Sequence, residues 1–224
     1  YEGYKNNLKQ WDEKNGIQVL RVKTLIGPNK GFFKRIGNYV SYMLSAGLQC
    51  NLVQNAEVVI STSPQFFCGL AGYVVSRRLK CPWILEIRDL WPESIIAVGA
   101  IKQKHVIRML EGIENFMYRK ADHIICLTRS FTRHIIARGI AEENLTISTN
   151  GADLTQFKPC TGENKIAAKH GLSGKFVVSF IGTHGMAHGL DTVLKAAVRL
   201  SNKADILFLM VGDGAERERL LEEK

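Results

Sequence analysis

No run of about 18 apolar residues occurs in the 224-residue sequence, so no segment has the length and apolarity of a membrane-spanning helix. No C-x-x-C pair occurs either. The five cysteines, Cys50, Cys68, Cys81, Cys126 and Cys160, are odd in number and widely scattered, which argues against a disulfide framework or a zinc site and for a reducing compartment. The D-x-D pattern that often carries a metal–diphosphate is absent, as are G-x-G-x-x-G and the Walker A loop, so dinucleotide and ATP readings are weak. Repeats and low-complexity tracts are also lacking. No signal peptide is visible, but the sequence opens at Tyr1 rather than Met, so a leader upstream stays open.

What remains is ordinary globular composition, 46% hydrophobic and 23% charged. The net charge of +9 is uneven. Residues 1–150 hold 20 Lys/Arg against 12 Asp/Glu, and residues 151–224 hold 10 against 9. A basic first part suits nucleic acid, an anionic membrane surface or a phosphorylated substrate, and equally a solubilising surface. No nucleic-acid module or base-stacking motif accompanies the charge, so nucleic acid is not expected as a partner.

Apolar β-branched runs alternate with helical periods. Strands are expected at Ile17–Lys23, Glu57–Thr62, Trp83–Ile87, His123–Thr128, Leu145–Thr149, Val177–Gly182 and Ile206–Gly212, and several are the continuous hydrophobic runs of parallel strands buried on both faces. Helices are expected at Phe33–Leu48, Pro64–Leu79, Gln103–Lys120, Ser130–Arg138, Gly189–Leu200 and Ala215–Glu223. Such alternation predicts a doubly wound α/β fold. Turn chemistry at Asn150–Asp153 and polar residues at Thr161–Asn164 predict a boundary, with domains at 1–153 and 154–224. The second has two expected strands, too few for a core of its own, so it is read as truncated. The first, opening on a polar stretch, is read as lacking its first strand.

Three segments can carry chemistry. The strand from Phe176 runs into a glycine-rich turn, Gly182-Thr183-His184-Gly185-Met186-Ala187-His188-Gly189, and then a helix. There backbone N–H groups and a helix N-terminus can meet a phosphate, although a plain tight turn fits the local pattern equally. Val211-Gly212-Asp213-Gly214 is a second strand–helix turn, in which Asp213 is either a site residue or, preferably on local grounds, a helix cap. Glu86-Ile87-Arg88-Asp89-Leu90-Trp91-Pro92-Glu93-Ser94 ends a hydrophobic strand in clustered charge, where α/β sites form. A bland surface pair of Arg88 with Asp89 or Glu86 is the alternative.

Together these motifs resemble those of family 4 retaining glycosyltransferases. Asn150-Gly151-Ala152-Asp153…Phe157-Lys158-Pro159 resembles their "NGVD…F.P" signature, Gly182–Asp191 their donor loop, and Val211–Glu216 their "GDGPE" turn. Arg88–Ser94 narrows the resemblance to the bacterial O-antigen, capsule and exopolysaccharide branch with its fucosaminyltransferase-like members. The resemblance covers essentially the whole chain, with all four motifs in the family's order.

This resemblance implies the GT-B fold, with two Rossmann-like doubly wound domains, both incomplete here. It implies a nucleotide-sugar donor, a UDP-linked N-acetylated hexosamine, and a lipid-diphosphate-linked or glycan acceptor. Asn150, Gly151 and Asp153 would form the hinge. Asp89 would be the catalytic contributor of the first domain, and Arg88 would bind acceptor or phosphate. Gly182, Thr183, His184, Gly185, His188, Gly189, Asp213 and Gly214 would hold the donor. Many relatives carry Arg and Lys near this loop; here His184 and His188 stand instead, each with a cap or surface role as its alternative. No metal or other cofactor is implied, and a front-face mechanism without a covalent nucleophile is. The family's opening strand with its acceptor loop, and its paired glutamates downstream, are not found, so the 224 residues alone are expected to transfer no sugar.

Lys30–Leu44 mixes bases with aromatics and can lie on an anionic membrane surface or form a core helix with a cationic start. The resemblance implies a cytoplasmic protein, peripheral on the inner face of the membrane. A nucleotide-sugar epimerase and a non-catalytic nucleotide-binding relative are the competing readings.

Overall fold

A computed structural model describes residues 5–26, 32–63, 65–99, 101–159 and 165–223, with the side chains of 32–35 excluded. The basic start of Lys30–Leu44, the polar turn at 161–164 and Cys160 therefore lie outside the described residues. The chain packs as two compact units, Tyr1–Gly151 and Ala152–Lys224.

The first unit opens on a hairpin, β1 (Lys9–Lys14) and β2 (Ile17–Val22), paired antiparallel with Lys14 opposite Ile17. The expected strand Ile17–Lys23 is thus present over Ile17–Val22, but in a separate antiparallel ribbon and not in a parallel sheet. The reason is Asn15-Gly16: both residues have positive φ, 54° and 78°, which is what a two-residue turn matched to strand twist requires. A salt bridge between Arg21 and Asp12 closes the ribbon across its face.

After α1 (Phe32–Gln49) comes a four-stranded parallel sheet in the order β3 (Val59–Thr62), β4 (Trp83–Ile87), β5 (His123–Cys126) and β6 (Leu145–Ile147). Crossovers run through α2 (Phe66–Leu79), α3 (Glu93–Ala97), α4 (Lys104–Lys120) and α5 (Arg129–Ala137). The strands match the predicted runs to within two residues at either end. The core joins Trp83, Leu85 and Ile87 of β4 and Ile124 and Cys126 of β5 to Phe66, Leu110, Met117 and Ile135 from the helices. Trp83 is fully buried, and its indole N–H donates to Ser61 Oγ at 2.8 Å. Gly72 of α2 sits over this pair: an added Cβ would lie 2.2 Å from Ser61 Oγ and 2.7 Å from Trp83 Nε1. Glycine here lets the helix close on the sheet.

The described cysteines are all free. Burial raises the thiol pKa of Cys68 and of Cys126, and a thiol, unlike a thiolate, is a poor nucleophile. In the folded protein at pH 8, iodoacetamide is expected to label Cys126 at least tenfold more slowly than the denatured chain, as read by mass spectrometry. Equal rates would contradict the burial.

The second unit holds α6 (Lys165–Lys169), then β7 (Phe176–Ile181), α7 (Asp191–Arg199), β8 (Ile206–Val211) and α8 (Arg217–Glu222). β7 and β8 pair in parallel over their whole length, with Ile181 opposite Val211. Both strands therefore end level, and both following turns emerge at the same sheet end. Among the described residues only Leu190 and Leu220 are buried hydrophobics here, whereas Phe176 and Ile181 are 70% and 74% exposed.

Candidate functional site

The first cluster is built on the end of β4. Ser63, just past β3, accepts hydrogen bonds at Oγ from the amides of Arg88 (2.9 Å) and Asp89 (3.3 Å). This ties the chain leaving β4 to the neighbouring strand and fixes where both side chains begin. Asp89 is half-buried, and its Oδ2 accepts from Ser94 Oγ at 3.1 Å. Arg88 is exposed and pairs with neither Asp89 nor Glu86; Nη2 donates instead to Asn150 Oδ1 at 3.2 Å. A residue of the strand-end motif is thus joined to one of the predicted hinge residues.

Beneath this loop lies an ionic network that the sequence did not announce. Glu93, opening α3, takes Arg138 Nη2 at 3.3 Å and His134 Nδ1 at 3.5 Å. The other arm of Arg138 lies 3.3 Å from Oε2 of Glu114, whose side chain is 1% exposed. The Tyr118 hydroxyl donates to Glu114 Oε1 at 2.7 Å. Burial pushes the Glu114 carboxyl up, against the opposing pull of Tyr118 and Arg138. Ser63, Asp89, Trp91, Glu114 and Tyr118 all line one cavity of about 10 Å³, close to the room one water needs.

The second cluster is built on the ends of β7 and β8, where the two glycine-rich turns are laced together. Gly182 N–H donates to Val211 O (3.0 Å), His184 N–H to Asp213 O (2.9 Å) and Glu216 N–H to His184 O (2.9 Å). The backbones meet so closely that a Cβ on Gly212 would lie 1.8 Å from the Gly182 carbonyl oxygen, and one on Gly214 would lie 2.5 Å from that of His184. Gly212 and Gly214 thus let the second turn support the first. Asp213 is not the cap that local pattern favoured: α8 begins after Glu216, and the Asp213 carboxylate folds back to accept from the Gly214 amide at 2.8 Å. The helix thus starts at Arg217, four residues downstream of the aspartate, with Glu216 at the N-cap position.

The two histidines have different surroundings. His184 is 6% exposed, and neither of its ring nitrogens has a protein partner. Its ring lines a cavity of about 420 Å³ with Val193, Leu194, Phe208, Met210 and Leu220. The surface alternative for His184 is therefore wrong, because the intervening Gly212 leaves room for the ring below the turn. His188 is exposed, and its Nδ1 accepts from the Gly185 amide at 3.3 Å. Phe180 touches both rings, with centroids 6.0 Å from His184 and 5.5 Å from His188. Thr183 is exposed, and Gly189 has φ of 57°, turning the chain into α7. Lys195, one turn into α7, is paired with Asp191 at 3.2 Å.

Asp153 organises its own turn, accepting from the Thr155 amide (2.9 Å), the Thr155 hydroxyl (2.6 Å) and Gln156 Nε2 (2.8 Å). The Thr155 hydrogen bonds hold its carboxyl below the usual range. Nothing lies within 4 Å of a Cβ built on Gly151. No group of three or more potential metal ligands occurs among the described residues, and no described helix is long and apolar enough to cross a membrane.

A parallel α/β sheet with glycine-rich turns at its strand ends is an architecture shared by many activities, and the family is given by comparison with known proteins. Residues 7–151 match the family model described as "Glycosyl transferase 4-like domain". The chain belongs to this glycosyltransferase family. It is 22% identical over 216 residues, 93% of its length, to the Escherichia coli K12 protein named "Putative colanic acid biosynthesis glycosyl transferase WcaI". It is 25% identical over 164 residues, 72% of its length, to "Probable glycosyltransferase WbjE" of Pseudomonas aeruginosa. These matches cover 53% and 41% of the two relatives, so the chain spans about half the length of the curated relatives it matches.

Among solved structures, Anabaena Alr3699/HepE in complex with UDP superposes with a TM-score of 0.61 at 15% identity, over 83% of this chain and 48% of that one. The Staphylococcus aureus MnaA–UDP co-structure gives 0.55 at 14% identity, over 90% and 50%. The fold is α/β of the Rossmann-like GT-B kind, as expected.

Proposed function

We propose that the protein carrying these residues is a retaining glycosyltransferase of bacterial surface polysaccharide biosynthesis. It moves a sugar from a nucleotide-sugar donor, a UDP-linked N-acetylated hexosamine, to a lipid-linked or glycan acceptor. The observation that carries this reading is the laced pair of glycine turns at the level ends of β7 and β8. There, free loop amides and the start of the nine-residue α7 offer an anion site. The buried ring of His184, with both nitrogens unpartnered, is a second group that a bound ligand or water would satisfy.

In this mechanism the diphosphate leaving group is stabilised by loop amides, the α7 dipole and His188, without a metal, because preorganised donors stabilise developing charge at no reorganisation cost. Asp89, oriented by Ser94, supplies the polar group of the first unit near the reacting sugar, and Arg88 binds acceptor or phosphate. Asn150, Gly151 and Asp153 form the crossover between domains at 1–153 and 154–224. The place of action is the cytoplasmic side, peripheral on an anionic membrane surface. Support comes from the family match, from curated relatives named as glycosyltransferases, one of them for colanic acid, and from solved neighbours holding UDP.

Replacing His188 with alanine is expected to raise KM for the nucleotide sugar about tenfold with little change in kcat, the pattern for loss of binding common to ground and transition states. An unchanged KM would remove His188 from the donor site. The second reading is an epimerase, favoured by the similarity to UDP-N-acetylglucosamine 2-epimerase from Rickettsia bellii, with a TM-score of 0.51 at 15% identity. It predicts conversion of the nucleotide sugar without an acceptor.

A further inference from the structure

The donor loop contains a histidine whose tautomer is set by its own backbone. His188 is the last residue of the short turn Met186–His188 and immediately precedes Gly189. The Gly185 N–H points at His188 Nδ1 from 3.3 Å, and the same N–H is shared with the Thr183 carbonyl at 3.0 Å. A ring nitrogen that accepts a hydrogen bond carries no proton. The proton of the neutral imidazole is therefore on Nε2, on the far side of the ring from the Gly185 amide. Were the ring cationic, Nδ1–H would face Gly185 N–H, donor against donor, and that contact would be lost. Phe180 lies beside the ring, 5.5 Å away between centroids.

Charge on the loop points the same way. Between Gly182 and Leu190 there is no Lys or Arg. The nearest cation on the following helix, Lys195, is held by Asp191. The segment therefore offers oriented N–H groups in place of free positive charge.

We infer that His188 acts as a neutral Nε2–H donor to a phosphoryl oxygen of a nucleoside diphosphate group, with its Nδ1–Gly185 contact as the device that positions it. This rests on the donor-loop reading above, and goes beyond it in fixing tautomer and mode: the grip on the phosphate is a directed hydrogen bond, not a charge pair.

The test is nitrogen NMR on protein labelled with [15N]histidine at pH 8, with the His188 signals assigned by their loss in His188→Gln. The expected spectrum has a protonated, pyrrole-type Nε2 and an unprotonated, pyridine-type Nδ1, before any ligand is added. A proton on Nδ1, in either the other tautomer or the cation, overturns the inference. UDP is then titrated. The expected response is a shift at His188 Nε2 and at the loop amides while Nδ1 stays unprotonated. If UDP moves no loop amide, the donor-loop reading falls, and the phosphate half of the inference with it; the ligand-free tautomer is read independently.

Two variants complete the test. Glutamine can place an amide N–H where Nε2–H stood, and asparagine can replace only the acceptor at Nδ1. His188→Gln is expected to keep UDP affinity within about threefold, and His188→Asn to lose about 10- to 100-fold, the worth of a hydrogen bond to a charged group. Equal losses in both variants, with folding intact by circular dichroism, would overturn the donor role.

Discussion

Replacing Arg138 with methionine is expected to destabilise the first unit by about 3–5 kcal/mol, because it strands a charge that cannot reach water. Arg138 is the cation against Glu114 Oε2, and the Glu114 side chain is 1% exposed. Tyr118 satisfies only the other oxygen. The same substitution frees Glu93, but that carboxylate is 45% exposed, so its loss is a surface effect of about 1 kcal/mol or less. The double variant Arg138→Met/Glu114→Gln separates the two, since a neutral amide carries no stranded charge. It is expected to recover most of the loss in urea unfolding. Failure to recover would place the cost in packing around Arg138 rather than in the ion pair.

The pH dependence of this loss has a definite sign. Burial already raises the Glu114 carboxyl above the ordinary carboxylate range, and without Arg138 one lowering influence is gone. The folded state then prefers the protonated acid, so the penalty is absent below the unfolded value and grows as pH rises from there through the folded value. The Arg138→Met defect is therefore expected to be larger at pH 7.5 than at pH 5. A defect that is flat between these pH values would contradict the assignment.

Gly212→Ala is expected to be the most damaging single methyl group in the second unit. Its Cβ would lie 1.8 Å from the Gly182 carbonyl oxygen and 3.0 Å from the carbonyl carbon. Backbone cannot rotate out of the way as a side chain can, so the two turns must part. Overpacking of this kind costs about 1–3 kcal/mol and at times more. It also breaks the Gly182–Val211 and His184–Asp213 hydrogen bonds that align the loop, so UDP affinity is expected to fall more than tenfold. Gly112→Ala is the control: the site is exposed, inside α4, with nothing within 4 Å of the new Cβ. It is expected to stabilise by about 0.4–1 kcal/mol. Wild-type affinity in Gly212→Ala would show that the lacing is dispensable.

Much of the fold was legible because parallel strands buried on both faces leave continuous apolar runs. Trp83–Ile87 came out with the predicted ends, β7 lies one residue earlier than predicted, and β8 starts as predicted and ends one residue sooner. β1 was missed because its residues, Lys-Gln-Trp-Asp-Glu-Lys, carry too little apolar surface to signal a strand. The Asn15-Gly16 pair was the available clue. α3 is only five residues long, too short for periodicity to show.

The site was legible in outline and not in its contacts. Glycine turns at strand ends mark a candidate phosphate site by pattern, but the reason for Gly212 and Gly214, a neighbouring turn 30 residues away, exists only once β7 and β8 pair. The same holds for Arg88 reaching Asn150, 62 residues on, and for Glu93, Glu114 and Arg138, which no spacing rule connects. His184 and His188 looked equivalent in sequence. Their separation into a buried ring and an exposed, backbone-oriented one follows from which side of the turn each side chain leaves.

The central claim, sugar transfer from a nucleotide donor, is tested most directly by product analysis. The protein carrying these residues is given UDP-N-acetylhexosamine labelled in the sugar, together with bacterial membranes as the source of lipid-linked acceptor. The account predicts label in the lipid fraction, UDP released in equal amount, and the anomeric configuration of the donor retained in the product by NMR. Label remaining in a nucleotide sugar of changed configuration, with no acceptor product and no UDP, would contradict it.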